Sequence, residues 1–324
     1  METVVEGMGG LQTQHAPSGY IGLWSRLEGM ARDDYTAALE GRRLVQGWVM
    51  RATIHTVTAA DYWPMAVAVR EPRRDLWRRS WRADDARMAE AARVVREELA
   101  DGPLRQRELV ARTAARGFSR EETNGAALWV DLVRVPPHGT WERPRADRYE
   151  LAERWLPVAE PPGEDAARAF LLRRYLGGFG PASLADAASW MGVAVADLRP
   201  LAGRMELRRF RDEAGRELLD NPDGPLPDPE TPAPPRFIGS FDAMLLTQAR
   251  RTGVLPEAFR PIIFNTRTPR SWHTFLLDGR VAGTFRYDRA GVSLEPLRRL
   301  TAAERAALDD EAHRLERFVT AGTA

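Results

Sequence analysis

Cysteine is absent from the 324 residues and so is lysine; all 47 basic residues are arginine. Without cysteine there is no disulfide, no thiolate nucleophile and none of the usual cysteine-based structural zinc sites. Without lysine no side-chain amine can form a Schiff base. Lysine-dependent lyase, aldolase and pyridoxal chemistry are thereby removed, and a P-loop would lack its lysine. An all-arginine complement also fits a high-GC coding bias. Net charge says little, because 47 basic residues stand against 46 acidic ones. A nucleic-acid surface has to be sought in local clusters. No segment has the length and apolarity to span a bilayer, and METVVEGMGG at the N-terminus lacks the basic-then-apolar order of a secretory signal. A cytoplasmic protein is expected.

What is present supports a core: 44% of the residues are hydrophobic, and the length suffices for two to four domains. Three segments share one plan, helices followed by a short basic strand pair, without obvious sequence similarity among them. The clearest has helices over 184–190 and 195–203 separated by a Met191-Gly192 turn, then strands over 205–211 and 217–219 around Asp-Glu-Ala-Gly. This is a helix-turn-helix followed by a wing. A second has a helix within 103–116, a Ser119 to Glu122 capping box opening a helix to Val133, and a wing over 132–149 with Arg134, Arg143, Arg145 and Arg148 around Pro136-Pro137-His138-Gly139. In the first, a helix over 34–40 leads through Gly41 to one strand-like run over 48–57.

Prolines punctuate the chain at 157–163 and again at 221–235, where seven prolines mark a linker. Beyond it, 236–240, 274–278, 281–287 and 292–295 read as strands, Asp278-Gly279 as a hairpin turn, and 301–319 as an amphipathic helix. The expected class is α+β: winged-helix domains at 1–84, 85–158 and 163–222, then a small β-rich domain with a closing helix at 236–324. Arg74, Arg78 and Arg82 repeat every four residues beside Trp77 and Trp81, a candidate phosphate-contacting stripe, although arginine faces are also commonly just solvated. Arg143 and Arg145 on the second wing are further candidate DNA contacts, and Arg267 and Arg270, in a basic loop before Trp272-His273, suggest a hairpin that probes a groove.

Four stretches carry a resemblance: Gly9-Gly-Leu-Gln-Thr-Gln14 followed by Pro17, the run from Arg43 to His55, Val135-Pro-Pro-His-Gly-Thr-Trp141, and Ser240-Phe-Asp-Ala-Met-Leu-Leu246. Together and in this order they resemble the AlkZ-like DNA glycosylases over nearly the whole chain. The resemblance implies three winged helices around a concave DNA-binding surface and cleavage of the N-glycosidic bond of alkylated purines. Some members also unhook interstrand crosslinks. It maps a Gln-hydrophobic-Gln signature onto Gln12, Thr13 and Gln14, with Thr13 departing from the aliphatic middle residue, and it makes Thr53 and His55 neighbours of the active site. Only ten residues precede Leu11, so the first domain is expected to be N-terminally incomplete. The partner implied is double-stranded DNA, bound by a monomeric, nucleoid-associated protein with no membrane, metal or organic cofactor.

Two amides at i and i+2 point the same way only from extended or turn-like backbone, since a helix separates them by roughly 200°. Pro17 disfavours a helical Ala16, which suggests a helix ending near the triplet. Convergent Gln12 and Gln14 can accept the protons of one water but cannot remove a proton as a carboxylate would. Such weak activation suits a leaving group that is already activated, a cationic N7- or N3-alkylpurine. An arbitrary Gln-x-Gln more often caps a helix or faces solvent. His55, sharing a strand face with Thr53 and Val57, is ordinarily a packed, hydrogen-bonded residue. Asp242 is read as orienting water or a sugar, or equally as an N-cap. Two rivals stay open: a winged-helix transcription regulator without catalysis, and a degenerate member that binds lesions without cleaving them.

Overall fold

The computed structural model describes residues 1–157, 160–246, 252–265, 270–288 and 290–321. Its first unit runs α1 (Glu2–Gly7), β1 (Leu11–Gln12), α2 (Ala16–Trp24), α3 (Arg32–Glu40), β2 (Leu44–Trp48) and β3 (Ile54–Thr58). This is the order helix, strand, two helices and a two-stranded wing. The strand, the two helices and the wing of this unit follow a six-residue α1. Gly9 and Gly10, with φ of +59° and +88°, turn the chain from α1 into β1. A Cβ at Gly10 would stand 2.8 Å from Val57, so glycine permits the close approach of β1 to β3.

Two expectations for this unit are corrected. The run over 48–57 is not one strand: Arg51 and Ala52 both adopt φ of +53° and fold it into a hairpin whose register pairs Trp48 with Ile54. No Gly, Asn or Asp signals this turn in the sequence. Pro17 does not mark a helix end. It lies in the first turn of α2, where its missing N–H costs nothing and the restriction on Ala16 is tolerated.

Two helices, α4 (Ala59–Ala68) and α5 (Arg70–Trp81), lead to a second unit of the same order: α6 (Asp85–Glu98), β4 (Leu104–Arg105), α7 (Gln106–Ala115), α8 (Arg120–Ala126), β5 (Leu132–Arg134) and β6 (Arg148–Leu151). The Ser119/Glu122 capping box opens α8 as its sequence predicts. The helix stops at Ala126 instead of Val133, because backbone turns from Leu128 and Trp129 to Gly125 and Ala126 redirect the chain into β5. Strand β2 pairs antiparallel with β5, at Gln46 with Arg134 and Gly47 with Val133. The two wings thus fuse into one six-stranded sheet of order β1-β3-β2-β5-β6-β4. Read by role, that order is palindromic and relates the two units by an approximate twofold.

After a short α9 (Ala152–Trp155), the third unit comprises α10 (Glu164–Phe179), a bridge between Ala182 and Leu219, α11 (Leu184–Met191), α12 (Val195–Arg204), β7 (Arg208–Arg211) and β8 (Glu217–Asp220). Gly192 closes α11 in the left-handed conformation at φ +76°. One apolar cluster joins this unit to the first through Val57, Met65, Tyr175, Trp190 and Leu219.

The C-terminal part begins with β9 (Arg236–Ile238), a four-residue α13 (Arg260–Ile263), and the pair β10 (Phe264–Asn265) and β11 (Arg270–Ser271). It continues with β12 (Thr274–Leu277), β13 (Arg280–Asp288), β14 (Gly291–Pro296) and α14 (Ala302–Thr320). Four strands make a sheet of order β14-β13-β12-β9. Asp278 and Gly279, at φ +49° and +68°, form the tight turn that the dipeptide predicts. Trp141, midway along the loop joining β5 to β6, packs on Tyr20, Tyr287 and Phe318 at centroid distances of 5.6, 5.9 and 5.9 Å, with the Arg32 guanidinium 5.0 Å from its ring. One indole therefore ties the second unit's wing loop to the first unit and to the C-terminal sheet and helix.

Candidate functional site

The Gln12-Thr13-Gln14 segment is the extended stretch between β1 and α2. Gln12 pairs with His55, and the Thr13 N–H donates to the Ile54 carbonyl at 2.8 Å. Strand alternation then places Thr13 on the buried face and the two glutamines on the other. Thr13 is fully buried; its hydroxyl lies 3.0 Å from that of Thr56, which in turn lies 2.6 Å from the Tyr35 hydroxyl. The threonine in the middle of the triplet is thus a member of a buried hydroxyl chain, a role an aliphatic residue cannot take.

Each glutamine carbonyl is anchored to the same neighbouring segment. Gln12 Oε1 accepts from Arg51 Nη2 at 3.2 Å, and Gln14 Oε1 accepts from the Ile54 N–H at 3.2 Å. A carbonyl oxygen has a second lone pair, so each amide can still accept a hydrogen bond from water. Gln14 lines a cleft of about 650 Å³ together with His15, Trp48, Trp77, Gln106, Asn124, Arg134, Arg145, Asp147 and Tyr149; Gln12 is not in its wall. The two amides dock on one hairpin, but only Gln14 opens on the cleft.

His55 is buried, and desolvation, with Arg51 adding to it, lowers its pKa to about 3. The neutral ring donates from Nδ1 to the Thr53 carbonyl at 3.1 Å, while the Thr53 hydroxyl donates to the Met50 carbonyl at 3.1 Å. Both side chains therefore brace the turn on which the glutamines are anchored. His273 is likewise held neutral: burial, with His15 adding to it, lowers it to about 4, and its Nδ1 accepts from the Ser240 N–H at 3.1 Å. Because an unfolded histidine titrates near 6.5, the unfolded chain takes up protons below that pH that these folded rings refuse. Their contribution is fully present above pH 6.5 and declines as the pH falls toward about 4 for His273 and about 3 for His55. The urea midpoint is expected to drop across that window; a flat profile would contradict the assignment.

The cleft's electrostatics come from residues the sequence reading did not place in the site. Arg134, 8% exposed, donates to the Ala146 carbonyl and lies 4.0 Å from the Tyr149 ring and 5.7 Å from that of Trp48. Burial works to raise the Asp147 pKa, but His138 at 2.6 Å and Arg105 at 3.4 Å outweigh it and hold the carboxyl below its usual range. Arg145, from the candidate DNA-contacting set, lines the cleft and pairs with Asp147 at 3.3 Å; Arg143 is exposed on the same loop. His15, next to Gln14, also went unread, and desolvation lowers its pKa. Among the described residues, no three His, Asp or Glu side chains converge as a metal site.

Other candidates are displaced from the site. Asp242 caps a 3-10 turn through the Met244 N–H at 3.0 Å and forms a two-pronged pair with Arg26 at 2.7 and 3.0 Å. Both of its oxygens are bonded within the protein, which favours the N-cap alternative over the substrate one. Arg74 and Arg78 do not form an open stripe. Arg74 pairs with Glu71 at 2.6 Å and donates to the Leu128 carbonyl at 3.0 Å, whereas Arg78 pairs with Asp75 at 2.5 Å and Asp85 at 2.9 Å. The acidic residues interleaved on α5 explain the difference, because a carboxylate three positions away on a helix competes with any phosphate. Arg82 is exposed at the C-cap of α5. Strands β10 and β11 form the flanks of the basic hairpin and include Arg270; Arg267 lies outside the described residues.

No helix among the described residues is long and apolar enough to cross a membrane. A solved structure, the Streptomyces sahachiroi DNA glycosylase AlkZ, superposes with a TM-score of 0.79 at 20% identity, covering 98% of this chain and 90% of that one. No curated protein matches. The family model for the DNA glycosylase AlkZ-like proteins matches residues 5–318. With that match spanning nearly its whole length, the chain belongs to the AlkZ-like family of DNA glycosylases.

Proposed function

We propose that this protein hydrolyses the N-glycosidic bond of cationic N7- or N3-alkylpurines in duplex DNA, with water held at Gln14 and Gln12 supporting the same hairpin. The observation that carries this reading is the Gln14 amide, anchored through Ile54 and facing the cleft between the first two units. A neutral amide orients water without removing its proton, so the base must leave by itself, as a purine carrying a positive charge does. His55, held neutral and bonded to the Thr53 carbonyl, supplies support in place of acid–base chemistry. The lack of lysine favours a monofunctional enzyme that leaves an abasic site, because the side-chain amine of a lyase is missing. A duplex carrying one N7-methylguanine should break at the lesion only after alkali, and borohydride should trap no protein–DNA adduct. A break without alkali would overturn the monofunctional assignment.

Phosphate contact is assigned to Arg82, Arg143 and Arg145, the last still 77% exposed beside Asp147, in preference to Arg74 and Arg78, whose ion-paired side chains are only 21% and 27% exposed. Each phosphate contact contributes about 0.9 to the slope of log affinity against log salt. Glutamine at Arg143 and Arg145 together is expected to flatten the slope, whereas glutamine at Arg74 and Arg78 leaves it unchanged. The reverse pattern would restore the α5 stripe to the interface.

A further inference from the structure

Apart from Arg145, the part of the cleft supplied by the second unit has no task in the hydrolytic reading. Gln106 opens α7 directly after β4, the same junction of strand and second helix at which Gln14 and His15 stand in the first unit. Both junctions open on one cleft. Gln106 Nε2 donates to Asn124 Oδ1 at 2.8 Å. One hydrogen bond between two carboxamides leaves one carbonyl acceptor and one NH₂ donor, whichever way the pair is turned. Such a pair complements the donor–acceptor edge of a nucleobase.

An aromatic wall stands beside this pair. Trp77 lines the cleft, and Trp81 stacks against it with centroids 5.2 Å apart and planes at 24°. Trp81 is 56% exposed, so the stack is not part of a core. Gly125, next to Asn124, is where α8 meets the indole: a Cβ there would stand 2.5 Å from the Trp77 ring. The glycine seats the ring close to the amide pair. Trp48, the other indole of the cleft, already has the Arg134 guanidinium 5.7 Å from its ring.

We propose that Trp77, with Gln106 and Asn124, forms the base-recognition end of the cleft. The indole stacks on the face of a purine turned out of the duplex, the two amides hold its edge, and its glycosidic bond lies toward Gln14. This rests on the glycosylase reading and adds which residues hold the base. Enzymes that act on a base take it out of the stack, most cheaply when it is damaged, so base contacts of this kind favour lesion-bearing over intact DNA.

The test is the ratio of affinities of the full chain for two duplexes of one sequence. One carries 2′-fluoro-N7-methylguanosine, whose glycosidic bond resists hydrolysis; the other carries guanine. Backbone contacts cancel in the ratio. The wild type should favour the lesion, and Trp77→Leu should lower the ratio roughly tenfold, within the range for loss of one base–aromatic stack. Trp77→Phe should retain most of it. The double change Gln106→Leu and Asn124→Leu should lower the ratio by a similar factor. A merely structural role would weaken binding to both duplexes alike. A wild-type ratio of one, or an unchanged ratio in both Trp77→Leu and the double variant, would overturn the proposal. A wild type whose Trp77-dependent ratio is as expected but which releases no natural N7-methylguanine would contradict the glycosylase reading and leave the recognition assignment standing.

Discussion

Alanine in place of Gln14 is expected to slow single-turnover release of N7-methylguanine by roughly ten- to a thousandfold, by analogy with the loss of one preorganised polar contact. Affinity for undamaged duplex should be nearly intact, because Gln14 binds water rather than phosphate in this account. Single-turnover conditions matter, since slow product release would hide the chemical step. Gln12→Ala should also slow release, by a different route: it removes the acceptor of Arg51 Nη2 on the hairpin that anchors Gln14. A Gln14→Ala rate within twofold of wild type would move the catalytic centre elsewhere.

The largest effect on stability is expected at Trp141. Its ring is packed by residues from α2, β13 and α14, so alanine there opens a cavity where three parts of the chain meet. Deleting a large buried aromatic costs about 3–5 kcal/mol, and the half-buried position puts Trp141→Ala at about 3 kcal/mol. Urea unfolding should show a clear fall in midpoint. A loss below about 1 kcal/mol would mean that the loop is not fastened through this ring. Because the same loop carries Arg143, Arg145 and Asp147, the variant should also bind DNA less well than its residual stability alone explains.

Elements set by local chemistry were legible from sequence. The Ser119/Glu122 capping box, the Gly192 helix end and the Asp278-Gly279 turn each depend on a few adjacent residues whose side chains satisfy or bend the backbone. The helix-and-wing plan of the third unit followed from such signals. What was not legible depends on partners far along the chain. The hairpin at Arg51 and Ala52 has no turn residue to announce it, and its strands are positioned by β1 and β5 from either side. The arginine periodicity of α5 does mark a helix face, but that Leu128 and Asp85 engage its guanidinium groups depends on residues outside that helix.

The site was divided in the same way. Gln12 and Gln14 could be singled out because motif context names them, but the anchoring of both amides on 51–54 appears only in the fold. Asp242 is a cap, as half of its sequence reading allowed, with Arg26 completing its bonding from 216 residues away. Gln106, Asn124 and Asp147 belong to no local pattern, and Arg134 stands out only as one of several wing arginines; the antiparallel pairing of two wings brings them opposite Gln14. One signal was available in principle. The second unit repeats the order of the first, so the residue that follows its first strand, Gln106, was a position to inspect once the first unit's glutamines had been noted.

The most direct test of the central claim is to follow free N7-methylguanine released from a lesion-bearing duplex under single-turnover conditions while measuring binding to the same duplex. The account predicts first-order release of the base by the wild type, an intact strand until alkali is added, and release slowed at least tenfold in Gln14→Ala at similar affinity. Tight binding of the duplex by the wild type with no release of base would contradict it, and would make the protein a binder of DNA instead of an enzyme acting on it.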